Sequence, residues 1–329
     1  MVTLPRWRIV YFGTPMFAVP TLTALIQSRD VPVEVVALVS QPDRPKGRGH
    51  HLAATPTKEL AVLCGIPVFQ PTKLREEAFL EELAARKPDL GVVAAYGRLL
   101  PDALLQVPRL GMLNVHASLL PKYRGAAPVH RAVIAGESVT GVTIMRVVQQ
   151  LDAGPTFAAV ERAIGPDDTS VEVERDLAQL GASLLLDVIG RMMRGEAVET
   201  PQDDAQATYA PKVEKSEGPI DWSLPAAQIH NLVRGLQPWP LASTTLDGAR
   251  WLIHRTSLDA PDAADGLRRY AGFPPGTIVA VAGDTIAVLT GDGSPIRLVQ
   301  LQSEGGRPMT AREFVSGHRL QPGARLGSG

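Results

Sequence analysis

Short apolar runs alternate with helix-like segments through the first half of the chain. The candidate strands, rich in β-branched residues, lie at residues 8–12, 33–40, 90–95 and 112–116. Thr55-Pro56 and the pair Thr169 and Glu172 have the pattern of helix starts. Crossover helices join parallel strands, because a tight turn can join only antiparallel ones. The alternation therefore predicts an α/β fold with a doubly wound, mostly parallel sheet and a binding crevice at the carboxyl ends of its strands.

The amino-acid composition and periodicity of the sequence change after the last long helical pattern. Residues 201–219 are polar, contain three prolines and lack periodicity, so we predict a linker there. Five short strand-like runs follow, and Asp247-Gly248 between the first two is a strong hairpin signal. Short strands with frequent turns predict a small, OB-like β-barrel. The predicted division is an α/β domain at 1–200, a linker at 201–219 and a barrel domain at 220–329.

Charge and cysteine content exclude several classes of protein. Lys and Arg number 33 against 34 Asp and Glu, so the net charge is −1 and any site for a polyanion must be a local patch. The single cysteine, Cys64, excludes an internal disulfide framework and a cysteine-based zinc cluster. No run approaches the roughly 20 apolar residues of a membrane helix, and residues 1–9 lack a signal-peptide pattern. We therefore expect a cytoplasmic protein that does not associate with membranes.

Asn114 and His116 stand two residues apart near the end of a predicted strand, so their side chains share one face. An amide beside an imidazole suits acyl chemistry, because the amide can stabilise an oxyanion and the imidazole can move protons near neutral pH. Asp152 follows the next strand, and neighbouring parallel strands would bring its carboxylate near His116. The common alternative is structural, with a capped strand end, a hydrogen-bonded histidine and an Asp-x-Gly turn. His50 and His51 are adjacent and lack the spacing of metal ligands, so no metal site is predicted.

Two stretches carry a local excess of positive charge. Residues 41–58 form a loop rich in proline and glycine whose one acid is Asp43 and whose cations are Arg44, Lys46, Arg48 and Lys58. Residues 103–136 contain no acid and four cations, Arg109, Lys122, Arg124 and Arg131. Either stretch can be a solvated surface, but the second surrounds the Asn/His pair and predicts an anionic substrate.

Motifs in both halves of the chain match one family. They are FGTP at 12–15, QPDRPKGRG at 41–49, AYG at 95–97, NVHASLLPKYRG at 114–125, LDAGP at 151–155, YAPK at 209–212, IDW at 220–222 and RGLQPWP at 234–240. Together they resemble the folate-dependent formyltransferases. The basic loop and the segments at 209–212 and 234–240 narrow the resemblance to the family that formylates methionyl-tRNA.

The resemblance implies a Rossmann-like catalytic domain that uses 10-formyltetrahydrofolate as co-substrate and no metal. Asn114, His116 and Asp152 match the family's catalytic trio. The residues that match folate-binding segments are Ser118, Leu119, Leu120 and Pro121, together with Ala95, Tyr96, Gly97 and Leu99, whose loop backbone is expected to face the pterin.

The resemblance further implies that initiator Met-tRNA is the formyl acceptor and that the protein is a monomer. The small barrel is expected to help hold the tRNA, and the loop at 41–51 to clamp it through Arg44, Lys46 and Arg48. Three alternatives stay open: a formyltransferase acting on another amine such as an amino sugar nucleotide, a hydrolase that releases formate from formyl-folate, and a tRNA-binding module with a degenerate enzyme domain. The intact Asn/His/Asp trio argues against the last.

Overall fold

The computed structural model describes residues 5–46, 51–259, 268–318 and 320–327. The chain divides into two compact units. The first comprises Met1–Pro128, Val139–Ala163 and Glu174–Ala210, and the second comprises Val129–Ser138, Ile164–Val173 and Pro211–Gly329. These units do not follow a single cut in the sequence, and the division into domains on either side of 201–219 stays a prediction. Within the described ranges, no helix is long and apolar enough to cross a membrane.

A seven-stranded sheet dominates the first unit. The strands of this unit are β1 (Trp7–Gly13), β2 (Val33–Val39), β3 (Arg44–Lys46), β4 (His51–Ala53), β5 (Val68–Phe69), β6 (Leu90–Ala94), β7 (Met112–His116), β8 (Arg124–Gly125), β9 (Val139–Arg146), β10 (Thr156–Ala163) and β11 (Tyr209–Ala210). The order across the sheet is β10-β9-β7-β6-β1-β2-β5. The pairs from β7 to β5 are parallel, whereas β9 and β10 are antiparallel to their neighbours. The predicted α/β class with a mostly parallel sheet is confirmed.

Helices connect the parallel strands and flank the second unit's sheet. They are α1 (Ala18–Gln27), α2 (Pro56–Leu63), α3 (Glu77–Ala84), α4 (Asp102–Leu105), α5 (Pro128–Ala135), α6 (Ser170–Met193), α7 (Ala226–Gly235) and α8 (Ala311–Gly317). The predicted start of α2 is confirmed, since the Lys58 N–H donates to Thr55 Oγ1 and Pro56 occupies the first turn. The Thr169 N–H donates to Glu172 Oε2 at 2.8 Å, which confirms the predicted capping box at the start of α6.

Strand β1 lies inside the sheet and is buried on both faces. Ile9, Val10, Tyr11 and Phe12 have no exposed surface. The hydroxyl of Tyr11 donates to the Ala18 carbonyl at 2.6 Å, as a buried polar group requires. Burial also raises the pKa of that hydroxyl above its usual range. A strand covered on both faces has no reason to alternate, so a continuous apolar run indicates it in the sequence.

The second unit contains an antiparallel sheet, as predicted for the second half of the chain. Its strands are β12 (Ala242–Leu246), β13 (Ala249–Ser257), β14 (Ile278–Ala282), β15 (Thr285–Leu289), β16 (Pro295–Ser303) and β17 (Met309–Thr310). The sheet order is β12-β13-β16-β15-β14, and β17 pairs with β16. Asp247 and Gly248 have φ values of 49° and 78°, so the predicted two-residue hairpin turn is confirmed.

The predicted linker contains short ordered elements. Two 3-10 turns occur at Asp204–Gln206 and Lys215–Glu217. Between them, β11 pairs in parallel with β8 of the first unit. The polar, proline-rich composition gives no sign of this pairing, because the partner strand lies far away along the chain.

Candidate active site

Strand β7 places two polar side chains side by side. Asn114 and His116 lie on one face and are paired with Met145 and Thr143 of β9. Asn114 is half-buried, and the side chain of His116 is 5% exposed. His116 Nε2 lies 3.0 Å from the carbonyl oxygen of Tyr123. Because a carbonyl only accepts, Nε2 carries a proton, and the second ring nitrogen is left for another partner.

Asp152 completes a group of three polar side chains. Its Oδ1 lies 3.5 Å from Asn114 Nδ2, and its Oδ2 lies 3.6 Å from His116 Nδ1. The backbone N–H of Gly125 donates to the same Oδ2 at 2.9 Å. The structure therefore brings together the three residues named from the sequence, and their catalytic role stays a prediction.

The route by which Asp152 reaches this site differs from the sequence prediction. We expected a parallel strand to deliver Asp152 from its carboxyl end. In the structure β9 is antiparallel to β7, with Arg146 opposite Leu113, so β9 ends beside the beginning of β7. The loop at 147–155 returns to the Asn114 side of the sheet and carries Asp152 with it. The expectation about strand direction was wrong because β9, which lies between β7 and the edge strand β10, runs antiparallel to β7, and no local pattern in the sequence marks this reversal.

A proton can be held between His116 and Asp152. With Nε2 protonated, a neutral imidazole presents the Nδ1 lone pair to the carboxylate, whereas a second proton makes an imidazolium–carboxylate pair. The two side chains are 5% and 13% exposed, so solvent weakens such a pair less than it would at the surface. The group can therefore give or take one proton beside an amide donor, a combination suited to transfer of an acyl or formyl group.

The segment that follows β7 is tied down by its own polar atoms. The Ser118 hydroxyl donates to the Lys122 carbonyl at 2.7 Å, and Thr143 Oγ1 donates to the Ser118 carbonyl at 2.7 Å. The Leu120 N–H donates to Thr143 Oγ1 at 3.2 Å, and the Leu120–Pro121 peptide bond is cis. Ser118 is buried and its hydroxyl serves this loop, so the predicted folate-binding segment offers a fixed backbone and not a free hydroxyl.

The loop after β6 presents its backbone and not its aromatic ring. The Tyr96 side chain is buried, with its ring 5.7 Å from that of Phe12 in an edge-on arrangement. Ala95 and Gly97 have φ values of 46° and 81°, which turn the chain sharply on either side of Tyr96. Leu99 is exposed. The contact of this loop's backbone with a ligand stays a prediction.

Comparison with known families gives one result over almost the whole chain. Residues 7–189 match the family described as formyl transferase, and residues 212–319 match the formyl transferase C-terminal domain. A methionyl-tRNA formyltransferase from Methylococcus capsulatus is 45% identical over 323 residues, which cover 98% of this chain and 100% of that protein. The chain belongs to the methionyl-tRNA formyltransferase family. The resemblance drawn from its motifs is thereby confirmed.

Solved structures of formyltransferases and a related protein share the fold. An N-formyltransferase from Helicobacter canadensis, in complex with folinic acid and dTDP-3-aminofucose, has a TM-score of 0.64 at 16% identity over 89% of this chain and 99% of its own. HypX from Aquifex aeolicus, in complex with tetrahydrofolic acid, has a TM-score of 0.61 at 16% identity over 94% of this chain. The chain spans about half the length of HypX, 47%. At such identities the likeness shows the fold, which is the predicted one.

The clamp predicted at residues 41–51 is a short hairpin where the structure describes it. Strands β3 and β4 pair with each other, and Arg44 is exposed. The Lys46 side chain and the whole of Arg48 lie outside the described residues. Lys58, counted with these cations in the sequence, instead has its Nζ 2.5 Å from Asp43 Oδ2 and donates to Gln70 Oε1 at 2.8 Å.

The hairpin base is also tied to the loop after β6. The Gln70 amide donates to Asp43 Oδ1 at 2.7 Å and to the Gln41 carbonyl at 2.8 Å. The Gln41 amide in turn donates to the Tyr96 carbonyl at 3.1 Å. Hydrogen bonds from Lys58, and then from Gln70, hold the pKa of the Asp43 carboxyl below its usual value. The base of the predicted tRNA clamp and the predicted folate loop therefore share a hydrogen-bond network.

The second positive stretch is largely neutralised by acids from elsewhere in the chain. Arg109 lies 3.0 Å from Asp89, and the buried Arg124 lies 2.7 Å from Asp204. Arg131 pairs with both carboxylate oxygens of Glu217. Lys122 is exposed. The excess of positive charge counted over residues 103–136 is therefore smaller in the folded protein, because the sequence window left out acids that folding brings into contact.

Two residues of the predicted linker contact the site, and sequence reasoning missed both. Gln202 donates to the Asp152 carbonyl at 2.9 Å. Thr208 Oγ1 accepts from the N–H of Tyr123, the residue whose carbonyl faces His116. The match at 209–212 marks the neighbourhood of Thr208, but no sequence signal indicates Gln202, which lies fifty residues from its partner.

The cysteine and the adjacent histidines form no site that the structure describes. Cys64 is exposed at the end of α2. His50 lies outside the described residues, as does the side chain of His51. In the part of the chain that is described, no group of three or more His, Cys, Asp or Glu side chains is arranged to hold a metal ion.

Proposed function

We propose that this chain transfers the formyl group of 10-formyltetrahydrofolate to the α-amine of methionine on initiator Met-tRNA, which supplies formylmethionyl-tRNA for translation initiation. The observation that carries this proposal is that the Asn114 amide and the His116 imidazole lie 3.5 Å and 3.6 Å from the two carboxylate oxygens of Asp152. Membership of the methionyl-tRNA formyltransferase family supports this choice of acceptor.

The proposed reaction is an addition to the formyl carbonyl followed by an elimination, and each of the three side chains has a separate role in it. The α-amine has a pKa near or below about 8, so a useful fraction is neutral at pH 7. When that nitrogen bonds to the formyl carbon, negative charge develops on the formyl oxygen. Asn114 Nδ2 donates to this oxygen, and a protonated His116 adds positive charge beside it.

Asp152 and His116 then handle the protons. The attacking nitrogen loses one proton and the leaving N10 of the folate gains one, so the reaction has no net proton change. Asp152, 3.6 Å from His116 Nδ1, orients the ring and accepts a proton from the amine side. His116 supplies the proton to the leaving nitrogen, directly or through water, and Asp152 then passes the proton it accepted to His116, which returns both groups to their starting states. No covalent bond to the protein is needed.

Two loops fit the folate co-substrate. The predicted contacts are Ser118, Leu119, Leu120 and Pro121 after β7, and Ala95, Tyr96, Gly97 and Leu99 after β6. Because the Tyr96 ring is buried and its carbonyl already accepts from Gln41, the backbone of the neighbouring residues is the part of this loop proposed to pair with a pterin edge. The exposed Leu99 offers an apolar contact for a flat ring. Folate bound by relatives of the same fold supports this assignment.

The tRNA contacts are proposed for two regions. Arg44, Lys46 and Arg48, in the sequence segment 41–51, clamp phosphates of the initiator tRNA, and residues 220–329 help hold the same molecule. Residues 1–200 supply the catalytic side chains and residues 201–219 connect the two parts. We propose that the protein acts as a cytoplasmic monomer, which light scattering at assay concentration would test.

One assay separates the competing acceptors. Purified protein with formyl-folate is offered initiator Met-tRNA, an amino sugar nucleotide, or water alone. We expect formylmethionyl-tRNA as the product, and the Asp152→Asn variant as the matched inactive control. Formylation of the sugar amine, or release of formate at the same rate without any amine, would contradict the proposal.

A further inference from the structure

A glutamine from the predicted linker contacts the loop that carries Asp152. Gln202 Nε2 donates two hydrogen bonds, one to the Asp152 carbonyl at 2.9 Å and one to the Gly154 carbonyl at 2.7 Å. We propose that Gln202 is a positioning residue for the transfer reaction, which fixes the direction of the Asp152 carboxylate. This inference rests on the proposed function of Asp152.

Arg124 fixes the orientation of the Gln202 amide. The Arg124 side chain is 1% exposed and donates to Gln202 Oε1 from Nε at 3.1 Å and from Nη2 at 2.8 Å. A guanidinium only donates, so the amide oxygen must face Arg124 and the amide nitrogen must face the two carbonyls. A buried cation also needs its acceptors, so folding itself holds Gln202 in this position.

The Asp152 loop needs an external support of this kind. Asp152 has a φ of 49°, a left-handed conformation that is unfavourable for a residue with a side chain. A Cβ on Gly154 would lie 1.9 Å from the Arg146 carbonyl oxygen, so the chain passes here where only glycine fits. Unfavourable backbone persists when its surroundings over-determine it. The two bonds from Gln202 do this on either side of Ala153.

The carboxylate of Asp152 is held from the opposite side. The Gly125 N–H donates to Oδ2, and Gly125 belongs to β8, which pairs with β11. The Tyr123 N–H donates to Thr208 Oγ1 at 2.8 Å, which fixes the carbonyl that faces His116. Gln202 therefore controls the backbone of the loop while β8 controls the carboxylate. Of the hydrogen bonds that Gln202 and Gly125 make to Asp152, the one from Gln202 can be removed by changing a side chain without altering the backbone.

Gln202→Glu is the sharpest test, because it separates the two roles of the side chain. Glutamate still accepts hydrogen bonds from the buried Arg124, so the guanidinium is not left without a partner at this position. It removes both donors to the loop and sets a carboxylate oxygen against two carbonyls. We expect kcat to fall roughly tenfold to a hundredfold, as for displacement of a reacting group by about 1 Å. KM for formyl-folate and for Met-tRNA should change less than about threefold, since the Gln202 side chain bonds to Arg124 and to the Asp152 loop and lies outside the segments proposed to bind either substrate.

The matched control is Gln206→Ala. Gln206 is exposed, and its amide donates to Asp203 at 2.8 Å. It should leave kcat and both KM values at wild-type levels. A loss of kcat as large in Gln206→Ala as in Gln202→Glu would overturn the inference, because it would assign the effect to the segment and not to the two bonds.

The double variant Gln202→Glu with Asp152→Asn asks whether Gln202 acts through Asp152. We expect it to be no slower than Asp152→Asn alone. If Gln202→Glu lowers kcat by the same factor in the wild-type protein and in the Asp152→Asn variant, the inference is overturned and the proposed function stays intact. The same conclusion follows if Gln202→Glu has wild-type kcat while Asp152→Asn is impaired. A wild-type kcat in Asp152→Asn overturns the proposed role of Asp152 itself, and the inference with it.

A second variant covers the case in which Gln202→Glu does not fold. Arg124→Met with Gln202→Met replaces the buried cation and its acceptor by apolar side chains of similar length, which avoids leaving a buried guanidinium without an acceptor. It too removes both donors to the loop. We expect cooperative unfolding with the same loss of kcat, and a folded double variant with wild-type kcat would overturn the inference.

Discussion

Gly125 is the backbone position on which the geometry of the proposed site depends most directly. Its φ is +122°, and a Cβ there would lie 2.7 Å from the carbonyl oxygen of Ala210. The obstructing atom belongs to the backbone of β11, so no side-chain rotation can relieve the contact. Gly125→Ala should therefore force β8 away from β11 and lengthen the 2.9 Å hydrogen bond from Gly125 to Asp152.

Two physical effects set the size of the expected change. A residue with a side chain in a sparsely populated backbone region costs about 1–3 kcal/mol. A hydrogen bond to a charged group contributes about 1.5–3 kcal/mol when fully formed. We expect the free energy of unfolding, measured by urea titration, to fall by about 2–4 kcal/mol. We expect kcat for formylation of Met-tRNA to fall about 100-fold, with a smaller change in KM.

Gly195→Ala is the matched control. Gly195 has a φ of +71° and follows the end of α6, and a Cβ at this position would have no other atom within 4 Å. The variant should lose about 1 kcal/mol of stability and keep wild-type kcat, because the backbone penalty is present without the steric contact. The reasoning is refuted if Gly125→Ala keeps wild-type kcat while both glycine variants lose the same stability.

Three further changes test other parts of the argument. Asn114→Ala should lower the single-turnover rate roughly 100-fold without changing the urea midpoint, because one donor to the oxyanion is removed; a rate near wild type would contradict this role. Arg44→Glu with Arg48→Glu should weaken tRNA binding and flatten the slope of log affinity against log salt concentration by about 0.7–0.9 for each phosphate that is no longer neutralised. If the double variant instead keeps the wild-type kcat/KM at both low and moderate salt, these arginines do not contribute to tRNA binding. The lowered pKa of Asp43 adds stability above the usual carboxyl pKa, and this stability disappears as pH falls through the lowered value. Asp43→Asn should therefore reduce the loss of stability on acidification, and identical pH profiles of unfolding would contradict that assignment.

Features that depend only on a few neighbouring residues were predictable from the sequence. The capping box of Thr169 and Glu172, the hairpin at Asp247-Gly248 and the shared face of Asn114 and His116 each follow from spacing alone. Strand and helix periodicity, turn chemistry and capping act over one turn or one pleat, so their signals survive in a single sequence.

Features that depend on distant partners were not predictable. The antiparallel direction of β9 beside β7 and the contact of Gln202 with Asp152 change the surroundings of residues that the sequence did identify. Counting the charges within residues 103–136 overstated the net positive charge for the same reason, because Arg124 pairs with Asp204, which lies far outside that range. A side-chain contact across fifty or more residues leaves no periodic pattern along the chain.

The pairing of β8 with β11 has a consequence for the order of synthesis. A growing polypeptide emerges from the ribosome amino end first, and the last strand of the seven-stranded sheet is complete at Ala163. Gln202 and β11 emerge some forty residues later. A nascent chain or proteolytic fragment that stops between these points therefore carries Asn114, His116 and Asp152 without Gln202 and without the partner strand of β8. The proposed roles of these residues then predict that activity is acquired late in translation, after the strands of the large sheet have been made.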